Sequence, residues 1–330
     1  MLGTKGTTAR VDAIEGTGEA TCAGPAGVVP CGQARRRGCG VETRAVAVDW
    51  TAALEALRAE VARTVALLRS VRHPDAPAIG EWSAAEVAMH LSQAWIVVPG
   101  LARRDLSGFY EVLPDLAGTA GESLIADVWD LADVTRGGVR SDPERDFAVI
   151  ASRIEERAEG FFAACAGRQP DEMHPWLVEG APVTLCTLTC HLLNETVMHG
   201  ADIAGSAGRP WAIDRRSAAL IIQGFVLPVV AALDPAALVD QRRAAGVRAT
   251  YELHLRGGGR FRMRFHDGQL RVEAPGAGRV DCHVSADPAV LLEVIWGRTS
   301  QWRAITTGRL VAWGRRPWLG PRLRLMIRNP

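Results

Sequence analysis

The sequence predicts a two-part chain: an antiparallel bundle of α-helices, then a small α+β domain. Three observations carry this. Apolar residues recur at three- and four-residue steps in four segments before residue 210, the period of a helix with one buried face. After Asp234-Pro235 the period drops to two, as in strands with one wet face. Capping residues, Gly and Pro fall between these segments. Composition agrees, since 330 residues suffice for two domains and 48% hydrophobic with 23% charged residues is ordinary for a globular protein.

Residues 1–44 are rich in Gly, Ala, Thr and Arg and show no sustained apolar period, so they read as a disordered extension or as the product of a misassigned start codon. The first helix starts near Asp49, with Leu54, Leu57, Val61, Val65 and Leu68 on one face, and ends by His73-Pro74. The second opens on the capping box Ser83 to Glu86 and turns Val87, His90 or Leu91, Ala94 and Val98 inward, with Pro99-Gly100 near its end. Residues 103–140 are less regular, with one short helix expected around Ser123–Ala132. The third helix is expected from Asp142 as N-cap and Pro143 at the first position, burying Phe147, Ile150, Ile154, Phe161 and Cys165. A fourth runs from about Thr184 to Ala204, stopped by Gly205 and Gly208. A fifth, about Arg215–Leu233, carries Pro228, which should kink it or end it. These elements define a bundle over 45–235.

In the second part, Tyr251, Leu253 and Leu255 alternate with other residues, as Phe261, Met263 and Phe265 do with Arg260, Arg262 and Arg264. The three arginines read as the exposed face of a strand. Asp267-Gly268 marks a hairpin turn. Further strands are expected at Gln269–Ala274, Arg279–Ala286 and Leu310–Trp313, and helices at Ala289–Trp296 and Pro317–Ile327, giving an α+β domain over 245–330. His254, His266 and His283 are scattered and read as structural, and Trp296, Trp302, Trp313 and Trp318 as core residues.

A net charge of +1 gives no electrostatic reason to expect nucleic acid or an anionic surface as partner. Apolar runs are read as ending well short of roughly 18 residues, so no membrane span is expected, and a missing signal-type segment makes the cytoplasm the default location. Seven cysteines, an odd number without a CxxC pair, do not form a disulfide framework. Cys186 and Cys190, four apart, read as small packing residues, and Cys31 and Cys39, flanking Arg35–Arg37, as part of a solvated tail.

Chemistry concentrates on the seam of the fourth helix. Leu185, Leu188, Leu192, Glu195, His199 and Asp202 fall at alternating steps of three and four, so an acid, an imidazole and an acid replace leucine on the buried stripe. A buried carboxylate without a partner would take up a proton. Glu195 and His199 lie one turn apart on one face, a spacing that suits two ligands of one metal, and His90 faces inward from the second helix. Spacing alone leaves open a Glu–His ion pair with an unrelated core histidine. Asp202 and His191 are candidates to support these residues by hydrogen bonds.

Three stretches resemble the mycothiol-dependent maleylpyruvate isomerase family: Trp82 to Leu91 (WSAAEVAMHL), Leu192 to Ile203 (LLNETVMHGADI) and Gly208 to Trp211 (GRPW). The resemblance covers roughly 46–235. It implies a DinB-like four-helix bundle that holds a divalent metal, usually zinc, on residues matching His90, Glu195 and His199. It also implies mycothiol, a low-molecular-weight thiol of actinobacteria, as co-substrate. Asp281–Pro288, Leu291–Gly297, Thr307–Leu310 and Trp313-Gly314 resemble sterol-carrier-protein-like domains.

Two His and one Glu leave an open ligand position, the pattern of catalytic zinc. The expected function is therefore a metal- and mycothiol-dependent isomerase or thiol transferase acting on a small electrophilic substrate. A metal-bound hydroxide could instead hydrolyse amides. The alternatives are a non-catalytic carrier of an apolar ligand through the C-terminal domain and a regulatory metal-binding protein. Substrate-facing residues are expected in 103–140 and between the two parts.

Overall fold

The computed structural model describes residues 48–112 and 125–328, so the expected N-terminal extension and part of the irregular stretch lie outside the described residues. Four long helices make the bundle. Helix α1 (Trp50–Leu68) is capped by Asp49, whose carboxylate accepts from the Ala52 amide at 3.0 Å. A short antiparallel pair, β1 (Pro77–Ile79) and β2 (Trp82–Ser83), turns through Gly80 at φ +55° and feeds directly into α2 (Ala84–Arg103). The capping box forms as expected: Ser83 accepts from the Glu86 amide, and Glu86 accepts from the Ser83 amide at 2.8 Å. Pro99 sits inside α2 without ending it, and α2 closes on Arg104 in the left-handed conformation.

The irregular stretch differs from expectation. Helix α3 (Ser107–Val112) was not expected; a 3₁₀ turn (Val128–Asp130) running into α4 (Leu131–Ser141) overlaps the end of the expected Ser123–Ala132 helix and continues nine residues beyond it. Helix α5 (Phe147–Cys165) starts four residues later than expected. Asp146, not Asp142, is its cap, accepting from the Ala148 and Val149 amides. Asp142 instead closes α4 and is held by the Glu144 amide and by Arg153. The buried face of α5 is unaffected, because Phe147, Ile150, Ile154, Phe161 and Cys165 keep their register.

A second antiparallel pair, β3 (Met173–His174) and β4 (Val183–Thr184), leads into α6 (Leu185–Ser206), capped by Thr184. Helices α1 and α2 each pack against both α5 and α6. Leu185, Leu188 and Leu192 are fully buried, as the seam requires.

Helix α7 (Arg215–Ile221) passes through a π-helical turn (Ile222–Val226) into α8 (Leu227–Ala232). Pro228 lacks the donor for the carbonyl of Gly224 and its ring would clash there, which accounts for the widened turn. The expectation of no apolar run of membrane-spanning length needs correction here. Arg215–Ala232 is long and apolar enough by length and composition, with mean hydropathy 1.3, and more than half of it is buried. Its buried residues include Ala218, Ile221, Ile222 and Phe225, and α7 contacts α6.

After a single turn, α9 (Gln241–Ala244), comes a five-stranded sheet: β5 (Ala249–Leu255), β6 (Arg260–His266), β7 (Gln269–Glu273), β8 (Cys282–Ala286) and β9 (Leu310–Trp313). The order is β7-β6-β5-β8-β9, with only β5 and β8 parallel. Asp267 and Gly268 both take positive φ in the two-residue turn between β6 and β7, a type I′ hairpin. Helix α10 (Pro288–Ile295) packs on α7, α11 (Gln301–Thr306) leads to β9, and a 3₁₀ turn (Pro317–Leu319) leads into α12 (Gly320–Leu325).

Tyr251, Leu253, Phe261, Met263, Phe265 and Val284 form the buried face of the sheet. Two expectations about this part of the chain fail. Arg262 is buried, because its guanidinium donates to the Ala277 carbonyl at 2.9 Å and lies beside Glu252. The tryptophans read as core also depart from expectation: Trp302, Trp313 and Trp318 are exposed at 57%, 42% and 61%.

Candidate metal centre

Helices α2 and α6 bring His90, Glu195 and His199 together. The His90 Nε2 lies 3.3 Å and the His199 Nε2 3.2 Å from Glu195 Oε2. The two imidazole rings meet edge to face, with centroids 4.8 Å apart. One ligand atom from each residue falls within 4.8 Å of the others. For metal–ligand bonds of 2.0–2.2 Å, a tetrahedral site has donor atoms about 3.3 Å apart. Two donor separations already match that spacing, so this donor set fits a divalent ion of zinc type.

Glu195 is held at both oxygens. Its Oε1 accepts from the Asn194 amide group at 3.2 Å and lies 3.5 Å from His191 Nε2. His191 is itself buried and stacked on Phe225, with rings 4.3 Å apart and 6° from parallel. Its Nδ1 has no hydrogen-bond partner among the described residues. On the other side of the cluster, His199 Nδ1 lies 3.1 Å from Asp202 Oδ2. That bond leaves Nε2 to face Glu195, an arrangement typical of metal-binding histidines. Asp202 in turn receives two hydrogen bonds from Arg298, at 3.0 and 2.7 Å.

The electrostatics follow from this wiring. Burial alone would push the Glu195 carboxyl up, but hydrogen bonds to His191, His199 and His90 hold it well below the usual carboxylate range. Burial disfavours charge on His199, yet Asp202 and Glu195 outweigh it and raise the imidazole to about 9. Burial pushes His90 the other way, below the ordinary value. Asp202, which burial would raise, is lowered by His199 and Arg298. These shifts favour a charged Glu195 carboxylate beside a cationic His199, with His90 the weaker base of the two histidines.

The cluster lies in the wall of a cavity of about 370 Å³. His90, His191, Asn194, Glu195, His199 and Arg298 are among its polar lining residues. Phe109, Val128, Leu131 and Gly138 from the irregular stretch form part of its side. Leu253, Met263, Val284 and Leu310, from the buried sheet face, line it too. One space therefore joins the histidine cluster to the inner face of the sheet.

Sequence reasoning missed three residues of this site. Trp296 donates to Asn194 Oδ1 at 2.8 Å, and Arg298 clamps Asp202. Asn194, beside Glu195, was visible only as part of the motif. Nothing local marks Trp296 or Arg298, which lie after α10 and reach α6 only in the folded chain. A further correction concerns histidines read as scattered: His254 and His283 converge with Glu252 on the sheet, whereas His266 lies exposed beside Asp267.

With this geometry in place, comparison with known proteins adds a family for the C-terminal part. Residues 231–314 match the SCP-2 sterol transfer family. This SCP-2 segment begins at the last two residues of α8 and takes in the sheet to the end of β9. Among solved structures, the mycothiol-dependent maleylpyruvate isomerase is similar at 12% identity, over 80% of this chain and 92% of that chain, with a TM-score of 0.44. A mutant of it is similar at 12% identity, over 80% and 93%, with a TM-score of 0.45. A UbiJ-SCP2 ubiquinone synthesis protein is 21% identical over 30% of this chain and 80% of that chain, with a TM-score of 0.24. No curated protein sequence matches the chain.

Proposed function

We propose that the protein is a thiol-dependent enzyme that holds a divalent metal, zinc by donor type, on His90, Glu195 and His199. Mycothiol is its co-substrate, and its second substrate is an electrophile with an apolar portion. In this reading the helical part, 45–235, holds the metal and the part from 245 to 330 receives the apolar end of the ligand. The reducing cytoplasm suits a free thiol.

The observation that carries the reading is the position of the three donor atoms in the wall of a cavity that extends to the sheet. A divalent ion bound there would lower the pKa of a thiol and so supply a thiolate at neutral pH. The chain's own groups do the rest. Asp202 fixes the tautomer and orientation of His199, and Arg298 fixes Asp202. His191 and Asn194 hold Glu195 from its far oxygen. Met198 and Val98 keep water from the adjoining wall. A thiolate that adds to a conjugated double bond allows rotation and, on thiol loss, isomerisation. Displacement of a leaving group gives thiol transfer.

The SCP-2 match and the apolar lining near Leu253 and Met263 also favour a second reading, a carrier of an apolar ligand without catalysis. Metal content separates the two. Elemental mass spectrometry of the purified chain should find zinc, and His199→Ala and Glu195→Ala should each lower the content by one equivalent, that of the bundle site. No metal in the wild type, even after incubation with zinc, would remove the enzymatic reading and leave the carrier.

A further inference from the structure

The outward face of the sheet carries a second set of ligand-type side chains. Strands β5 and β8 are parallel neighbours, with Glu252 opposite His283 and His254 opposite Ser285. Side chains alternate along a strand, so Glu252, His254 and His283 point away from the core occupied by Tyr251, Leu253 and Val284. His254 Nε2 lies 2.8 Å from Glu252 Oε1, His283 Nδ1 lies 3.4 Å from the same oxygen, and the two ring nitrogens are 3.4 Å apart.

We propose that Glu252, His254 and His283 form a second metal site, which takes one borderline divalent ion of zinc type through two imidazole nitrogens and one carboxylate oxygen. The three donors make a triangle with edges of 2.8, 3.4 and 3.4 Å. A tetrahedral ion with bonds of 2.0–2.2 Å requires edges of about 3.3 Å, so a small outward shift of one side chain completes the fit. The ligand set of two histidines and a carboxylate suits zinc, and also iron, cobalt or nickel.

The supports are rigid. All three residues sit on paired strands rather than loops. Trp313 from β9 stacks on His283, with ring centroids 5.3 Å apart and planes 16° from parallel, and meets His254 edge to face at 5.4 Å. On an outward sheet face these side chains are still only 12%, 21% and 28% exposed, so an ion here would be partly desolvated yet reachable. Arg262 opposes a cation by its charge. Its Nε lies 3.5 Å from Glu252 Oε2, which leaves Oε1 with the histidines. The proposal is independent of the bundle site, since no residue is shared.

The test uses the full chain, stripped of metal with a chelator and titrated calorimetrically with zinc. His90→Ala with His199→Ala removes the bundle site. That double variant should still bind one equivalent of zinc, and adding His283→Ala or the shape-preserving Glu252→Gln should abolish it, with unchanged circular dichroism. Its cobalt(II) complex should show d–d absorption without a thiolate charge-transfer band, which excludes cysteine ligands. A double variant that binds no zinc would overturn the proposal. So would bound zinc that survives both His283→Ala and Glu252→Gln. Wild type that binds one equivalent, lost with His283→Ala alone, would support this site and count against the bundle site.

Discussion

Arg298 and Asp202 form a two-point hydrogen-bonded ion pair, Nε to Oδ1 at 3.0 Å and Nη2 to Oδ2 at 2.7 Å, across 96 positions of sequence. Asp202 in turn holds the imidazole of His199. A residue that follows α10, within the SCP-2 segment, thus sets the orientation of a candidate ligand in the bundle. Cutting this chain at either link should weaken the metal without removing a ligand. Arg298→Gln and Asp202→Asn are each expected to lower zinc affinity by about 10- to 100-fold, the usual cost of losing such a partner. Competition against a chelator of known affinity measures this. Unchanged affinity in both would show that the chain of contacts does not tune the site.

Metal binding should also depend on pH. His199 holds its proton up to about 9, and an ion must displace it. Apparent zinc affinity should rise by about tenfold per pH unit below 9 and level off above, if one proton leaves per ion. In Asp202→Asn the levelling should move to lower pH, because a group that raises His199 is gone. Calorimetric titration at several pH values, with the proton release counted from buffers of different ionisation enthalpy, reads both.

Stability of the metal-free protein carries the same signature. The folded pKa of His199 lies above the ordinary 6.5, so its contribution is complete below 6.5 and is lost as pH rises through about 9. His90 and Glu195, both lowered, contribute in the opposite sense, fully at higher pH and less as acid is added. The stability gap between wild type and His199→Gln should therefore narrow from pH 6.5 to 9. Urea denaturation of chelator-treated samples tests this, and a gap that widens over that range would contradict it.

Packing at the π-helical turn gives a prediction free of the site. A Cβ placed on Gly224 would run into Cys190 Sγ and lie 3.1 Å from its Cβ. Cys190 is fully buried, so it cannot swing into solvent. Gly224→Ala should cost about 1–3 kcal/mol by overpacking. Cys190→Ala in the same chain should restore part of that loss, as thermal denaturation of the single and double variants would show.

The cavity predicts a size-dependent effect. Met263→Trp would fill its sheet end while leaving His90, Glu195 and His199 in place. Zinc content should stay at the wild-type level. Binding of a fluorescent fatty acid should fall at least several-fold. Equal binding would show that the sheet end of the cavity does not receive the apolar ligand.

Local order in the sequence was enough for the long bundle helices, the strands of the five-stranded sheet and the candidate trio on the α6 seam. Each is written in local order: the steps of three and four around Leu185, Leu188 and Leu192, the capping box at Ser83, the period of two around Phe261 and Met263, and the polar break of an apolar seam at Glu195 and His199. It erred by four residues at α5, because Asp142 and Asp146 are equally good local caps and only the neighbours Arg153 and Glu144 decide between them. Tertiary structure alone decided the rest. Arg298 and Trp296 reach α6, Arg262 turns from an exposed strand face into a buried partner of Glu252, and Glu252, His254 and His283 meet only because β5 and β8 lie side by side. These contacts join residues tens of positions apart, and local periodicity holds no record of which strand or helix will face which.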